Sequence, residues 1–260
     1  MIYAAFTLWL ILILFAGVGI YRLWTRMVRP AYVHWALLPG TVVSEMAYIF
    51  GCLITGGEIR RAKLIEMPTA KAGKGDAEPS TDASPGLKVI GPVLASLLAV
   101  VACVAAILVA RKALGARVIE QFAIDNGLFS AGLPQSLPMS WNEFWLQVDD
   151  QVILLRHICE TYGSREWFDW RGVLFVYLGL CLSVRLSPVT RPMRPTLAAV
   201  VVIAAVIAIV GLVWPRFSGL MLDIWPLLAY IWASLLLLLV VTLLINGIVA
   251  LVRVLAGRTD

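Results

Sequence analysis

Long apolar runs separated by short polar stretches dominate the pattern of this chain. A helix needs about 20 mostly apolar residues to cross a bilayer, and five runs meet or nearly meet this length. They are Ile2–Leu23, Ala31–Thr55, Val89–Ala110, Thr196–Trp214 and Trp225–Val252. A sixth run, Gly172–Leu186, has only 15 residues and predicts a short or tilted span or a buried half-helix. The pattern predicts an all-α polytopic membrane protein with about six transmembrane helices, or five in the alternative.

Two polar stretches divide these spans into regions. Residues 66–87 are rich in Ala, Gly, Pro, Ser, Thr and charge, and predict a disordered loop because they cannot bury apolar area. Residues 113–171 form the only sizeable predicted extramembrane region. The N-terminal spans then occupy residues 1–65, the third span lies in 88–112, and the C-terminal spans occupy 172–260.

The extramembrane region contains a predicted amphipathic helix over 140–162. Ser140 and Glu143 form a capping-box signature just after Pro138. Apolar residues then recur every three or four positions, which places them on one helical face. They are Trp141, Phe144, Trp145, Val148, Val152 and Leu155. This face predicts contact with the membrane interface, with the protein's own spans or with a partner, and these residues are the candidate interface.

Composition supports the membrane interpretation and limits the possible partners. The chain is 61% hydrophobic and 14% charged, whereas a soluble domain carries roughly 25% charged residues. The net charge of +5 does not indicate nucleic-acid binding, because Lys and Arg gather at span ends, where they meet phospholipid headgroups. Arg185, Arg191 and Arg194 form a Pro-rich basic turn that predicts headgroup contact, or an acidic partner in the alternative.

Glu45 lies near the middle of the apolar stretch "LLPGTVVSEMAYIFGCLITGG" over residues 37–57. An ionised carboxylate at membrane depth is costly and needs a partner or a proton. In the zinc metalloprotease motif H-E-x-x-H, two His residues bind zinc and the Glu activates water. Ser44, Glu45 and Tyr48 occupy the three motif positions here. Neither a Ser nor a neutral Tyr is a good zinc ligand, so we expect no metal and no other cofactor.

The residues around this motif strengthen the comparison. "LPGTVVSEMAYIFGCLITGGEI" resembles the PGT-hydrophobic-H-E-x-x-H-apolar-G signature of small bacterial membrane proteins related to the site-2 protease family of intramembrane zinc metalloproteases. The segments "GPVLAS" and "YLGLCLSVRLSPVTRPMRPTL" resemble later parts of that pattern. The resemblance covers about Trp35–Leu108 and Tyr177–Ala199, and implies a location in the bacterial cytoplasmic (inner) membrane.

The departures from the family's pattern imply that catalysis has been lost. The family's third zinc ligand is usually an Asp in a later span, and the nearest candidate, Asp223, is followed by Ile rather than Gly. Asp169 looks juxtamembrane, and His34 and His157 do not complete a ligand set. We therefore expect a pseudoenzyme in which Ser44, Glu45 and Tyr48 are relic positions.

Three functions remain to be compared. The first is an inactive site-2-protease-like scaffold or structural subunit of a larger membrane complex, whose partners are the lipid bilayer and other membrane subunits and not nucleic acid. The alternative is a transporter or channel component that uses Glu45. The second alternative is an active intramembrane metalloprotease, which requires ligands that the sequence does not contain.

Overall fold

A computed structural model describes residues 2–62, 81–84, 90–120, 122, 133–163, 169–186, 193–213 and 217–255. Within these ranges the helices are α1 Ile2–Met27, α2 Pro30–Ala36, α3 Leu38–Ile54, α4 Ile90–Ala110, α5 Trp141–Gly163, α6 Trp170–Leu186, α7 Met193–Val213 and α8 Phe217–Leu255. A π-helical turn, Arg111–Gly115, prolongs α4, and helix continues through 116–120. Two short strands, β1 Glu58–Ala62 and β2 Thr81–Ser84, pair antiparallel.

Helix is present at each of the six predicted apolar runs, so the helical prediction is confirmed. Four helices are long and apolar enough to cross a membrane: α1, α7, α8 and α4 with its extension to Glu120. They indicate an integral membrane protein. The helices α3 and α6 have 17 residues each and are shorter than a typical crossing.

The structure divides the second predicted run, which the sequence predicts as one span over Ala31–Thr55. Helix α2 ends at Ala36 and α3 begins at Leu38, with φ −97° and ψ 13° at Leu37 between them. Pro39 has no N–H to donate to the preceding turn, which is the local cause of the break. The carbonyl of Ala36, the last residue of α2, accepts hydrogen bonds from Tyr177 Oη at 2.8 Å and Cys181 Sγ at 3.3 Å, so α6 caps the end of α2.

Strand β2 lies inside the stretch 66–87 that the sequence predicts to be disordered. It pairs with β1 in a register that runs from Glu58 opposite Ser84 to Ala62 opposite Thr81. The backbone pairing of the two strands is a long-range contact that the local composition of residues 66–87 does not indicate. Residues 63–80 and 85–89 lie outside the described part of the chain.

Helices α1 and α8 run side by side in the same direction. Residues further along α1 contact residues further along α8. The pairs are Tyr3 with Phe217, Phe6 with Trp225, Trp9 with Trp232, and Trp24 Nε1 with Thr242 Oγ1. The ring centroids of Trp9 and Trp232 are 5.3 Å apart. The N-terminal ends of the first and last helices therefore lie on the same side of the bundle.

Small residues let α3 approach its neighbours closely. A Cβ at Gly51 would lie 2.6 Å from Ala95 Cα in α4, and a Cβ at Gly40 would lie 2.3 Å from the Cys181 carbonyl oxygen in α6. The buried face of α3 contains Gly40, Thr41, Ser44, Glu45, Gly51 and Cys52. Its other face exposes Met46 and Phe50. The face that carries Glu45 is thus the one packed against the protein.

Gly51→Ala should destabilise the fold, because the added methyl group meets the backbone of α4 rather than a flexible side chain. We expect a loss of about 1–3 kcal/mol in the free energy of unfolding, measured by denaturant titration in detergent micelles. Gly179→Ala in α6 is the matched control, since a Cβ there has nothing within 4 Å. Equal stability of the two variants would contradict the close α3–α4 contact.

Candidate functional site

Glu45 is enclosed by the protein, with 4% of its surface exposed. Ser44 is also buried, and Tyr48, one helical turn further along α3, is half-buried. The three motif positions therefore face inward or along the packed side of α3, towards α4 and α6.

A buried arginine lies close to the start of α3. Arg185 in α6 is only 5% exposed, and its Nη2 donates to His34 Nδ1 at 2.7 Å. The Arg185 guanidinium carbon also lies 5.4 Å from the centroid of the Tyr21 ring, which is a cation–π arrangement. A Cβ at Gly40 would lie 3.2 Å from Arg185 Cβ. Arg185 therefore packs against the first turn of α3 at Gly40, and Glu45 lies roughly 7 Å further along the helix axis.

The hydrogen bonds define the protonation of His34. A guanidinium group can only donate, so His34 Nδ1 must carry no proton when it accepts from Arg185. The neutral ring then carries its proton on Nε2, which lies 3.3 Å from Tyr21 Oη and can donate to it. The consecutive helices α1 and α2 thus meet the distant α6 through one neutral imidazole.

The burial of Arg185 corrects the prediction that it faces phospholipid headgroups. The last turn of α6 packs against α1 and α2, so the Tyr21 ring and the His34 imidazole surround the guanidinium group instead of water. The sequence pattern does not pair Arg185 with His34. The one sequence feature that points to such a pair is His34, because a polar residue inside an apolar run needs a hydrogen-bond partner.

The other acidic and histidine candidates lie elsewhere. Asp223 is exposed on α8, and its backbone carbonyl accepts from Arg111 Nη1 at 3.1 Å. His157 is buried in α5, with its ring centroid 5.4 Å from that of Phe122. Asp169 is exposed at the start of α6. Within the described ranges, no three His, Cys, Asp or Glu side chains come together in a group that could hold a metal ion.

The predicted amphipathic helix is present as α5. Its start matches the capping-box signature, since the Glu143 N–H donates to Ser140 Oγ at 3.2 Å and the Met139 N–H donates to Glu143 Oε2 at 2.7 Å. The inward side of α5 consists of Leu154, His157, Ile158 and Thr161. The buried side is therefore in the second half of the helix and differs from the predicted apolar face.

Five of the six candidate interface residues are exposed. They are Trp141, Phe144, Trp145, Val148 and Val152, while Leu155 is half-buried. The first three form the aromatic cluster, with ring centroids 5.5 Å apart for Trp141 and Phe144 and 5.7 Å apart for Phe144 and Trp145. Trp141 is 69% exposed and Trp145 54% exposed. These aromatic rings contact one another and leave a large apolar surface uncovered.

Indole hydrogen bonds fix α5 and the segment before it to α1 and α8. Trp225 Nε1 donates to the Leu133 carbonyl at 2.8 Å, and Trp9 Nε1 donates to the Pro134 carbonyl at 3.0 Å. Trp232 Nε1 donates to Gln151 Oε1 at 2.7 Å.

A tyrosine secures the end of α5. Tyr162 Oη lies 2.9 Å from Ser234 Oγ and 3.3 Å from Tyr230 Oη in α8. Burial raises the pKa of Tyr162, which keeps its hydroxyl group neutral. Both the segment before α5 and the C-terminal half of α5 are therefore tied to the bundle.

Comparison of the chain with protein-family models, with curated proteins and with solved structures gave no match. Four helices of the described part of the chain are long and apolar enough to cross a membrane, and they indicate an integral membrane protein. The features that bear on function are the surroundings of Glu45, the His34–Arg185 pair and the aromatic cluster.

Removing the His34 acceptor should destabilise the bundle. His34→Phe leaves buried Arg185 with one acceptor fewer, and we expect a loss of about 1.5–3 kcal/mol in the free energy of unfolding, the range for hydrogen bonds to charged groups. Tyr21→Phe is the control, because it removes one long neutral hydrogen bond and keeps the ring under the guanidinium group. Denaturant titration in micelles measures both, and a larger loss in the control would contradict the assigned roles.

Proposed function

We propose that this chain is a catalytically inactive, site-2-protease-like protein that serves as a scaffold or structural subunit of a larger complex in the bacterial cytoplasmic (inner) membrane. The observation that carries the proposal is the exposed aromatic cluster on a helix that is fixed to the bundle. The expected partners are other membrane protein subunits and the lipid bilayer.

The aromatic cluster has the properties of a protein interface. Trp and other aromatic residues are enriched at interfaces, where a few of them supply most of the binding energy. Contiguous exposed apolar surface is uncommon in proteins that do not associate. The indole hydrogen bonds of Trp9, Trp225 and Trp232 hold α5 in place before any partner arrives. A preorganised surface of this kind loses less entropy on binding.

The surroundings of Glu45 support the absence of protease chemistry. Ser44 and Tyr48 occupy the positions where the motif needs two imidazoles, and hydroxyl groups do not replace them as zinc ligands. The inward face of α3 is closely packed, with Gly40 and Gly51 against backbone atoms of α6 and α4. This packing favours a structural role for the former motif.

The apolar surface beyond α5 also fits a subunit of a membrane complex. In the most apolar 18-residue stretch of α8, only 11% of the residues are buried. In the corresponding stretch of α7, only 17% are buried. Lipid tails or the apolar helices of neighbouring subunits can cover such surfaces.

Copurification tests the scaffold proposal. After gentle extraction, we expect the tagged protein to retain other membrane subunits at fixed stoichiometry, quantified by mass spectrometry. The double variant Trp141→Gln/Trp145→Gln should retain at least roughly thirtyfold less, because two interface aromatics at about 1 kcal/mol or more each contribute about 2 kcal/mol or more together. Trp170→Gln is the matched control, since Trp170 is an exposed tryptophan at the start of α6, outside the cluster.

A protein that purifies alone from native membranes would contradict the scaffold proposal and favour the transporter alternative. That alternative is supported by the burial of Glu45 within an apolar helix. Proton or solute flux into liposomes that disappears in Glu45→Gln would establish it. Stoichiometric zinc in the pure protein would instead favour the active metalloprotease.

The parallel contact of α1 with α8 leads to a prediction about topology. When the first and last helices of a chain cross the membrane in the same direction, the total number of crossings is odd. We therefore propose five crossings rather than six. The two ends of the chain then lie on opposite sides of the membrane. Epitope tags at the two ends, tested for protease access in right-side-out and inside-out vesicles, check this. Cleavage of both tags in the same vesicles would contradict the proposal.

A further inference from the structure

A cleft of about 880 Å³ lies between the extension of α4 and the N-terminal part of α8. Two irregular helical segments border it: the π-helical turn Arg111–Gly115 on one side and Pro226 within α8 on the other. A π-helical turn and an internal proline each disturb the regular backbone ladder, and π-turns are frequent at functional sites. Arg111 Nη1 bridges the two walls by donating to the Asp223 carbonyl at 3.1 Å.

The cleft combines an apolar wall with charges of both signs. Leu108, Leu220 and Ile224 contribute apolar surface. Arg111 and Lys112 supply two positive charges, and Glu120 and Asp223 supply two negative charges. These four charges sum to zero, so the cleft does not select for a purely anionic group.

The position of the cleft matches the edge of the bilayer. Arg111 and Lys112 directly follow the 21-residue, mostly apolar helix Ile90–Ala110. Cationic side chains at the end of a span lie at the level of phospholipid headgroups, and charged pockets between such helices bind them. The apolar wall formed by Leu108 and its neighbours then lies on the hydrocarbon side.

We propose that this cleft binds one phospholipid with a zwitterionic phosphoethanolamine headgroup. Arg111 and Lys112 hold the phosphate, Glu120 and Asp223 hold the ammonium group, and acyl chains lie along the apolar wall. A glycerol headgroup would bring no cation to the two carboxylates, so phosphatidylglycerol should bind less well. The volume lies in the range of ligand sites, roughly 300–1,000 Å³, and fits a headgroup with part of its chains. This proposal is independent of the scaffold function.

The test measures retained lipid in protein reconstituted with equal amounts of phosphatidylethanolamine and phosphatidylglycerol and then returned to detergent. Native mass spectrometry should show phosphatidylethanolamine retained in preference to phosphatidylglycerol. Lys112→Gln should reduce the retained lipid roughly tenfold, since one charge-assisted hydrogen bond contributes about that factor. Arg117→Gln is the matched control, because Arg117 is also an exposed cation on the extension of α4 but does not line the cleft.

A second variant separates lipid binding from loss of charge. Ala116→Trp places a bulky side chain in the cleft, and should remove the lipid while the midpoint of thermal unfolding stays near that of wild type. Glycerophosphoethanolamine, a headgroup without acyl chains, should not displace the retained lipid. The proposal is overturned by equal retention of the two lipids, by equal loss in Lys112→Gln and Arg117→Gln, by lipid retention in Ala116→Trp, or by displacement with the free headgroup.

Discussion

Every polar group inside an apolar helical bundle must have a polar partner, and this requirement organises the structure around α6. Leaving a buried charge or carbonyl without a partner costs several kcal/mol. Arg185 finds His34 and the ring of Tyr21, and the Ala36 carbonyl finds Tyr177. The break between α2 and α3 and the position of α6 are therefore linked, because α6 supplies the donors that the broken helix needs.

Close packing of α3 follows from the same arrangement. Once α6 caps α2, Gly40 lies against its backbone, and Gly51 lets α4 approach on the same face. Glu45 is buried because it lies between these two glycines on the same packed face of α3. The three positions Ser44, Glu45 and Tyr48 are thereby placed on or beside the closely packed face of α3.

The outer surface has three parts that meet the surroundings in different ways. The C-terminal half of α8 offers plain apolar residues to lipid or neighbouring helices. The aromatic cluster of α5 offers rigid rings, which favour specific contacts over general solvation by lipid. The cleft beside Arg111 adds charges to apolar walls and suits a single amphiphile. All three depend on α8, which also supplies the partners of Trp9 and Tyr162.

The sequence by itself determined the helices, since apolar run length and capping are local properties of neighbouring residues. It located the six helical runs, the Ser140–Glu143 cap and the six candidate interface residues, five of which are exposed. Only the tertiary structure decided the burial of Arg185, the parallel contact of α1 with α8 and the inward side of α5. These depend on contacts between distant residues, such as His34 and Arg185, which are 151 positions apart. Periodicity records which face of a helix is apolar, but it does not record which neighbour covers that face.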